Sequence, residues 1–320
     1  MRIASLLPSA TEILFEIGAG DDVVGVTHEC DYPPQARQRP ALTSDLLPPG
    51  LSSAEIDAAV STGIGDQHTI YALDAEALAT AAPDVVVAQR LCDVCAVPVE
   101  TVEQALCTMP DQACVVAADP HTLDDLGPAI IEIGAATGAV ERAQRVVGDL
   151  RHRLDVVAAA VAGRTRPRVV VLEWPDPPWT PGHWVPDMVE QAGGDCVLGR
   201  SGAASQRTTF DALAAVEADI VITAFCGFDL AQTIERSREI DHRPEWAALI
   251  GGARLVAVDG SAYFSRPGPR LVDGVELLSW IFHGVGEQPP AARGAQYASG
   301  TWADVGSADA HRVAAVNAGR

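Results

Sequence analysis

The sequence predicts an α/β protein of two related lobes with parallel sheets, joined by one long helix. Three observations predict it. Short Val/Ile-rich runs alternate with helical stretches. One helical pattern near the middle is far longer than the others. The stretches on either side of it repeat one another.

Seven runs read as strands: 2–6, 22–26, 84–88, 113–117, 168–172, 219–223 and 254–258. Most are apolar without alternation, the pattern of strands covered on both faces of a parallel sheet. Ser9-Ala10-Thr11-Glu12 has the spacing of a capping box and predicts a helix through Ile17, stopped by Gly18. Between them, Val140, Ala143, Val147, Leu150, Leu154, Val157 and Val161 alternate steps of three and four. This one-stripe helix spans roughly 35 Å at 1.5 Å per residue, and Gly163 and Pro167 end it. It reads as a stiff strut. Gly268-Pro269 predicts a last helix over 269–282.

The repeat is carried by two pairs of segments in the same order. Ala77-Leu78-Ala79 before Asp84-Val85-Val86-Val87 matches Ala212-Leu213-Ala214 before Asp219-Ile220-Val221-Ile222. Gly20-Asp21-Asp22-Val23-Val24-Gly25 matches Gly194-Asp195-Cys196-Val197-Leu198-Gly199. The expected organisation is a first lobe at 1–137, a connecting helix at 138–166, a second lobe at 167–283 and a loosely held, Gly/Ala/Ser/Pro-rich tail at 284–320.

Composition narrows the function. The chain of 320 residues carries 43 acids against 22 bases, a formal charge of −21, which disfavours nucleic-acid and anionic-membrane partners. Every base is arginine, so P-loop, Schiff-base and kinase-type lysine chemistry is excluded. No apolar span reaches membrane-helix length. Seven scattered cysteines, and opening residues without a secretory or lipid-anchor pattern, give the expectation of a cytoplasmic protein. An upstream start would instead make it extracytoplasmic.

Ligands of open parallel sheets bind beyond the carboxyl ends of the strands. The residues that follow the predicted strands are His28, Glu29, Cys30 and Tyr32; Gln89, Arg90, Cys92 and Cys95; Trp174, Trp179, His183 and Trp184; Cys226 and Phe228; and Tyr263, Phe264 and Arg266. Aromatics make up only 5% of the chain, so their gathering in these loops points to an apolar ligand surface in a cleft between the lobes. Arg90 and Arg266 suit carboxylate or amide groups on a ligand rim.

Several of these segments carry a family likeness. Leu7-Pro8-Ser9-Ala10-Thr11-Glu12 with Gly18, Val24-Gly25-Val26, Asp31-Tyr32-Pro33, Pro83-Asp84-Val85-Val86-Val87 and Tyr263-Phe264-Ser265-Arg266-Pro267-Gly268-Pro269-Arg270 resemble the class III solute-binding proteins. The nearest subgroup is the cobalamin-binding proteins of vitamin B12 uptake. The resemblance implies two Rossmann-like lobes on a backbone helix, with a corrinoid, haem or iron chelate as ligand. It further implies docking on an ABC permease through one surface acid per lobe, here Glu76 and Asp211, if the protein is exported.

The thiols and imidazoles leave a second reading open. His28, Cys30, Cys92, Cys95 and Cys226 are donors suited to zinc or iron in a metalloprotein or metalloenzyme that reuses the fold. Cys107, Cys114 and Cys196 read as core, and His68 and His121 as surface residues.

Overall fold

The computed structural model describes residues 1–62, 69–90, 96–107, 113–298 and 301–304. The chain divides into two compact units, Met1–Pro120 with Asp124–Leu150, and His121–Leu123 with Arg151–Arg320.

The first unit runs β1 (Ile3–Ser5), α1 (Pro8–Glu16), β2 (Val23–Gly25), β3 (Thr43–Asp45), α2 (Ser53–Thr62), β4 (Tyr71–Leu73), α3 (Ala75–Ala81), β5 (Val85–Ala88), α4 (Val99–Cys107), β6 (Cys114–Ala117), α5 (Leu126–Ala136) and the start of α6 (Val140–Val161). Its main sheet has the order β2-β1-β5-β6 with every pair parallel. β1 and β5 are buried along their whole length, as their unbroken apolar runs require. A separate antiparallel pair joins β3 to β4.

Two expectations for this unit are corrected. The helix after β1 has no capping box. Pro8 opens it two residues earlier than that box would, Leu7 is the N-cap without a side-chain bond, and Ser9 lies buried inside it. The Thr11 hydroxyl turns inward, 2.8 Å from the Ser5 hydroxyl. Cys107 and Cys114 are exposed and not core, because each sits where its element meets solvent.

The long helix α6 covers the predicted span. Ala143, Val147, Leu150 and Val157 are buried along it, whereas Val140 at its start is 38% exposed. Gly134 on α5 makes a close approach possible, since a Cβ there would lie 2.5 Å from the Ala143 Cβ. The boundary between the compact units falls inside this helix.

The second unit takes up the rest of α6, then β7 (Arg168–Leu172), β8 (Trp179–Thr180), α7 (Val185–Gln191), β9 (Asp195–Cys196), β10 (Gln206–Arg207), α8 (Phe210–Ala214), β11 (Ile220–Thr223), α9 (Leu230–Glu239), α10 (Pro244–Ile250), β12 (Arg254–Val258), α11 (Gly260–Tyr263), α12 (Arg270–His283), β13 (Gly294–Ala298) and β14 (Thr301–Asp304). The sheet order is β14-β13-β12-β11-β7-β9. β9, β7, β11 and β12 are parallel, and β13 and β14 add an antiparallel hairpin at the edge. The expectation of a loosely held tail is therefore corrected for 294–298 and 301–304. β13 pairs with β12 and β14 with β13, and Tyr297 and Trp302 pack against the core of this unit. The core of this unit is built on Phe225, Trp246 and Leu255, with Phe210 and Ile240 around them.

Candidate functional site

In the first unit the chain beyond β2 folds back on itself. A parallel bridge pairs Val26 with Ala41 and brings Thr43 beside His28. The Thr43 hydroxyl accepts from the His28 backbone N–H at 3.2 Å and lies 2.7 Å from His28 Nδ1. That contact fixes the ring through Nδ1. Register in the β3–β4 pair places Tyr71 opposite Asp45. From there its hydroxyl donates to Glu29 Oε1 at 2.8 Å, and its ring lies 5.2 Å from that of His28. His28 is exposed, Glu29 half-buried and Tyr71 9% exposed. The hollow they share with Leu6, Pro8, Thr27, Thr43, Ala96 and Val97 is about 10 Å3, room for roughly one water.

The remaining expected residues of this unit lie apart from that group or deeper. Tyr32, which precedes a cis proline, lines an open trough of about 510 Å3 with Glu12, Phe15, Glu16, Arg39 and neighbours. Gln89 is buried, and Arg90 makes a loose surface pair with Glu103 at 3.9 Å. Cys30 is buried with its sulfur 3.0 Å from Thr11 Oγ1 and 3.1 Å from Thr27 Oγ1. Cys92 and Cys95 lie outside the described residues, as does His68.

In the second unit the segment after β7 forms an aromatic ledge. Trp174 and Trp179 face each other across an antiparallel bridge, with Trp179 N donating to Trp174 O at 3.2 Å. Trp174 stacks on Phe228, which follows β11, at 5.4 Å between centroids and 25° between planes. Two guanidiniums lie over the same rings: Arg207 Cζ is 5.8 Å from the Trp179 centroid and Arg236 Cζ 4.9 Å from that of Phe228. Asp176, within the hairpin, holds Arg243 at 2.7 Å. All three ledge rings are half-buried.

Glu173 lies beneath this ledge. Its Oε2 accepts from the Ser205 hydroxyl and its Oε1 from Gly182 N at 3.4 Å, which ties two loops to the end of β7. Burial pushes this carboxyl up to about 7 against the opposing pull of those two hydrogen bonds. Nearby, burial pushes the Cys196 thiol up to about 12, so it is a neutral, inert thiol.

Trp184 and Phe264 are corrected as ligand-facing residues. Trp184 is 5% exposed and Phe264 2%, and the Trp184 indole donates to Phe264 O at 2.7 Å, so the two lock together as core. Tyr263 stays half-buried, with Arg270 Cζ 5.8 Å and Arg293 Cζ 5.1 Å from its ring centroid. Arg266 is half-buried after it. Burial raises the Asp259 carboxyl, opposed by the Ala262 N–H and by the charges of Arg270 and Arg266. Gly260 is required where α11 begins, because a Cβ would meet Phe225 O at 2.2 Å. Cys226 is exposed and belongs to this second unit. Among the described residues no group of three or more His, Cys, Asp or Glu is placed to hold a metal ion.

Tyr71 was absent from the sequence-based set. Its signal is faint: a strand of three residues, without the run length that marks the other strands.

Two α/β units with ligand-type loops at the strand ends recur in known proteins. A family model described as periplasmic binding protein matches residues 3–251. The chain belongs to that family. It is 24% identical over 290 residues to an uncharacterized ABC transporter substrate-binding lipoprotein of Bacillus subtilis, covering 87% of this chain and 78% of that protein. It is 22% identical over 285 residues to a vitamin B12-binding protein of Vibrio cholerae, covering 87% of each. The solved structure of a periplasmic heme-binding protein from Pseudomonas aeruginosa superposes with a TM-score of 0.70 at 19% identity, covering 94% of this chain and 99% of that one. The likeness to class III solute-binding proteins, and the fold it implied, stand.

The expectation of a cytoplasmic protein is overturned. The family, and relatives named as a lipoprotein or as periplasmic, place such proteins outside the cytoplasm. That expectation rested on the opening residues and the cysteine count, and neither outweighs a match over residues 3–251.

Proposed function

We propose that this periplasmic binding protein captures a flat, bulky metal chelate of the corrinoid or haem class and delivers it to an ABC permease. The observation that carries this reading is the aromatic ledge of Trp174, Trp179 and Phe228 at the strand ends of the second unit, flanked by Arg207 and Arg236. Stacked, half-buried rings suit a planar macrocycle, and guanidiniums beside them suit its polar rim. The names of the relatives, one for vitamin B12 and one for heme, support that class.

In this reading Trp174, Trp179, Phe228 and Tyr263 supply flat apolar contacts. His28, Glu29, Gln89, Arg90, His183 and Arg266 supply polar ones, His28 through Nε2, and Tyr32 contributes at a rim. Glu76 and Asp211 are exposed acids in the first turns of α3 and α8, and they are the docking residues for the permease. Titration of the purified chain with cyanocobalamin and, separately, haemin, read by quenching of tryptophan fluorescence, tests the proposal. Saturable quenching by one of them at one ligand per chain is expected. Absence of saturable quenching by both removes it.

A further inference from the structure

We infer that His121 and His183 form a binding site for a divalent transition-metal ion, held by two imidazoles with water completing its coordination. The inference goes beyond the proposed function, gives His183 a second partner besides the chelate, and is tested with the metal ion alone.

The first observation is the path of the chain. Residues 121–123 belong to the second compact unit although their neighbours in sequence on both sides belong to the first. They are fastened there: Leu123 is buried, and its backbone N–H donates to Asp187 Oδ2 at 3.0 Å. Thr122 Cγ2 sits 3.4 Å from where a Cβ on Gly202 would be. This fastening delivers an exposed imidazole, His121, to the loop before α7.

The second observation is the backbone at His183. It has φ +49°, the left-handed region that costs a residue with a side chain about 1 kcal/mol. The conformation is held from both sides, with His183 N donating to Ala203 O at 2.6 Å and Gly202 N donating to His183 O at 3.0 Å. Strain of this kind aims a side chain that an ordinary backbone would point elsewhere. Here it aims the ring at His121, with the centroids 6.0 Å apart and 46° between planes.

That spacing fits a shared ion. Two imidazoles bound to one tetrahedral zinc through nitrogens at about 2.0 Å hold their centroids roughly 5 Å apart, so a small side-chain rotation closes the site. Imidazole is the donor that zinc, nickel and copper(II) share. Among the described residues no third His, Cys, Asp or Glu completes a protein cage, so water fills the remaining positions and micromolar affinity is expected. The formal charge of −21 draws divalent cations to the surface. Bound metal would clamp segment 121–123 to the loop at 183, and binding only the folded form it would raise stability.

The test is calorimetric titration of zinc chloride into the full chain at neutral pH, alongside thermal melting with and without zinc. The variants are His121→Ala, His183→Asn and the control His242→Ala. Asparagine accepts the left-handed backbone without the imidazole. One zinc per chain is expected. Each of the two site substitutions weakens it by about tenfold or more and abolishes the zinc-induced rise in Tm, and the control does neither. Failure of the wild type to take up zinc overturns the inference. So does loss in only one of the two site variants, since a shared ion needs both rings. If His183→Asn does not fold, the exposed position decides alone: binding unchanged in His121→Ala overturns the inference, and loss there supports it.

Discussion

Asp84 in the first unit and Asp219 in the second hold the same joint. Asp84 Oδ2 accepts from Arg2 N at 2.7 Å while its own N–H donates to Arg2 O at 2.7 Å. Asp219 Oδ2 accepts from Arg168 N at 2.7 Å while its N–H donates to Arg168 O at 2.8 Å. Each arginine reaches back to the chain before its aspartate, Arg2 Nε to Ala81 O at 2.9 Å and Arg168 Nε to Glu217 O at 2.8 Å. The sheets follow suit, since β2-β1-β5-β6 and β9-β7-β11-β12 are the same parallel order. What differs is the filling. Among the largest fully buried side chains of the second unit are Trp246, Phe225 and Phe264, whereas those of the first are aliphatic. The same contrast holds at the strand ends, where the second unit presents a tryptophan ledge and the first a hydrogen-bonded group of His28, Glu29, Thr43 and Tyr71. One strand plan thus carries two kinds of surface, one for flat apolar contact and one for polar contact.

The largest effect expected is in the aromatic core. Phe225→Ala removes a fully buried ring and should destabilise the protein by about 4 kcal/mol in chemical denaturation, against about 3 kcal/mol for Leu78→Ala in the first unit. A smaller loss at Phe225 than at Leu78 would break the contrast between the cores. Next comes the ledge. Trp174→Ala should weaken binding of the proposed chelate by about 2 kcal/mol, roughly thirtyfold, because it removes both a stacking ring and the support of Phe228. Tyr71→Phe should weaken it less, since it removes one hydrogen bond to Glu29.

Glu173 in the second unit gives a pH test. Its carboxyl is raised to about 7 in the folded state, so between the ordinary carboxylate range and 7 the folded form holds a proton that the unfolded form has lost. The stabilisation is full below the unfolded pKa and is lost as pH rises through 7. Between pH 5 and pH 8 the wild type should lose on the order of 2 kcal/mol that Glu173→Gln does not lose, read from denaturation midpoints at both values. An equal pH dependence in both proteins would contradict this. The smallest effect concerns the shared joint. Asp84→Ala and Asp219→Ala should each destabilise by about 1 kcal/mol, and clearly unequal losses would show the repeat to be geometric without being energetic.

The sequence made the doubly covered strands legible, because unbroken runs such as Val169-Val170-Val171-Leu172 have few other uses. The long helix was legible through its stripe. β8 and β10 are two residues long and β3 and β4 three, too short to leave a periodic trace, so the hairpin that presents the tryptophans and the strand that carries Tyr71 went unread. The β13–β14 hairpin was hidden because its few apolar residues, Tyr297 and Trp302 among them, pack on the core without forming an unbroken apolar run. At the site, residue types placed Trp174, Trp179 and Phe228 in strand-end loops. Nothing in the types separated Trp184 and Phe264, whose mutual hydrogen bond draws them into the core.

Chelate capture by the aromatic ledge is the central proposal. Its most direct test is a visible-absorbance titration of cyanocobalamin and of haemin with wild-type protein and with the Trp174→Ala/Trp179→Ala double variant. The account predicts a saturable spectral change with one of the two ligands at one per chain, lost or shifted to much higher concentration in the variant. No spectral change with either ligand, or one that the double variant reproduces unaltered, would contradict it.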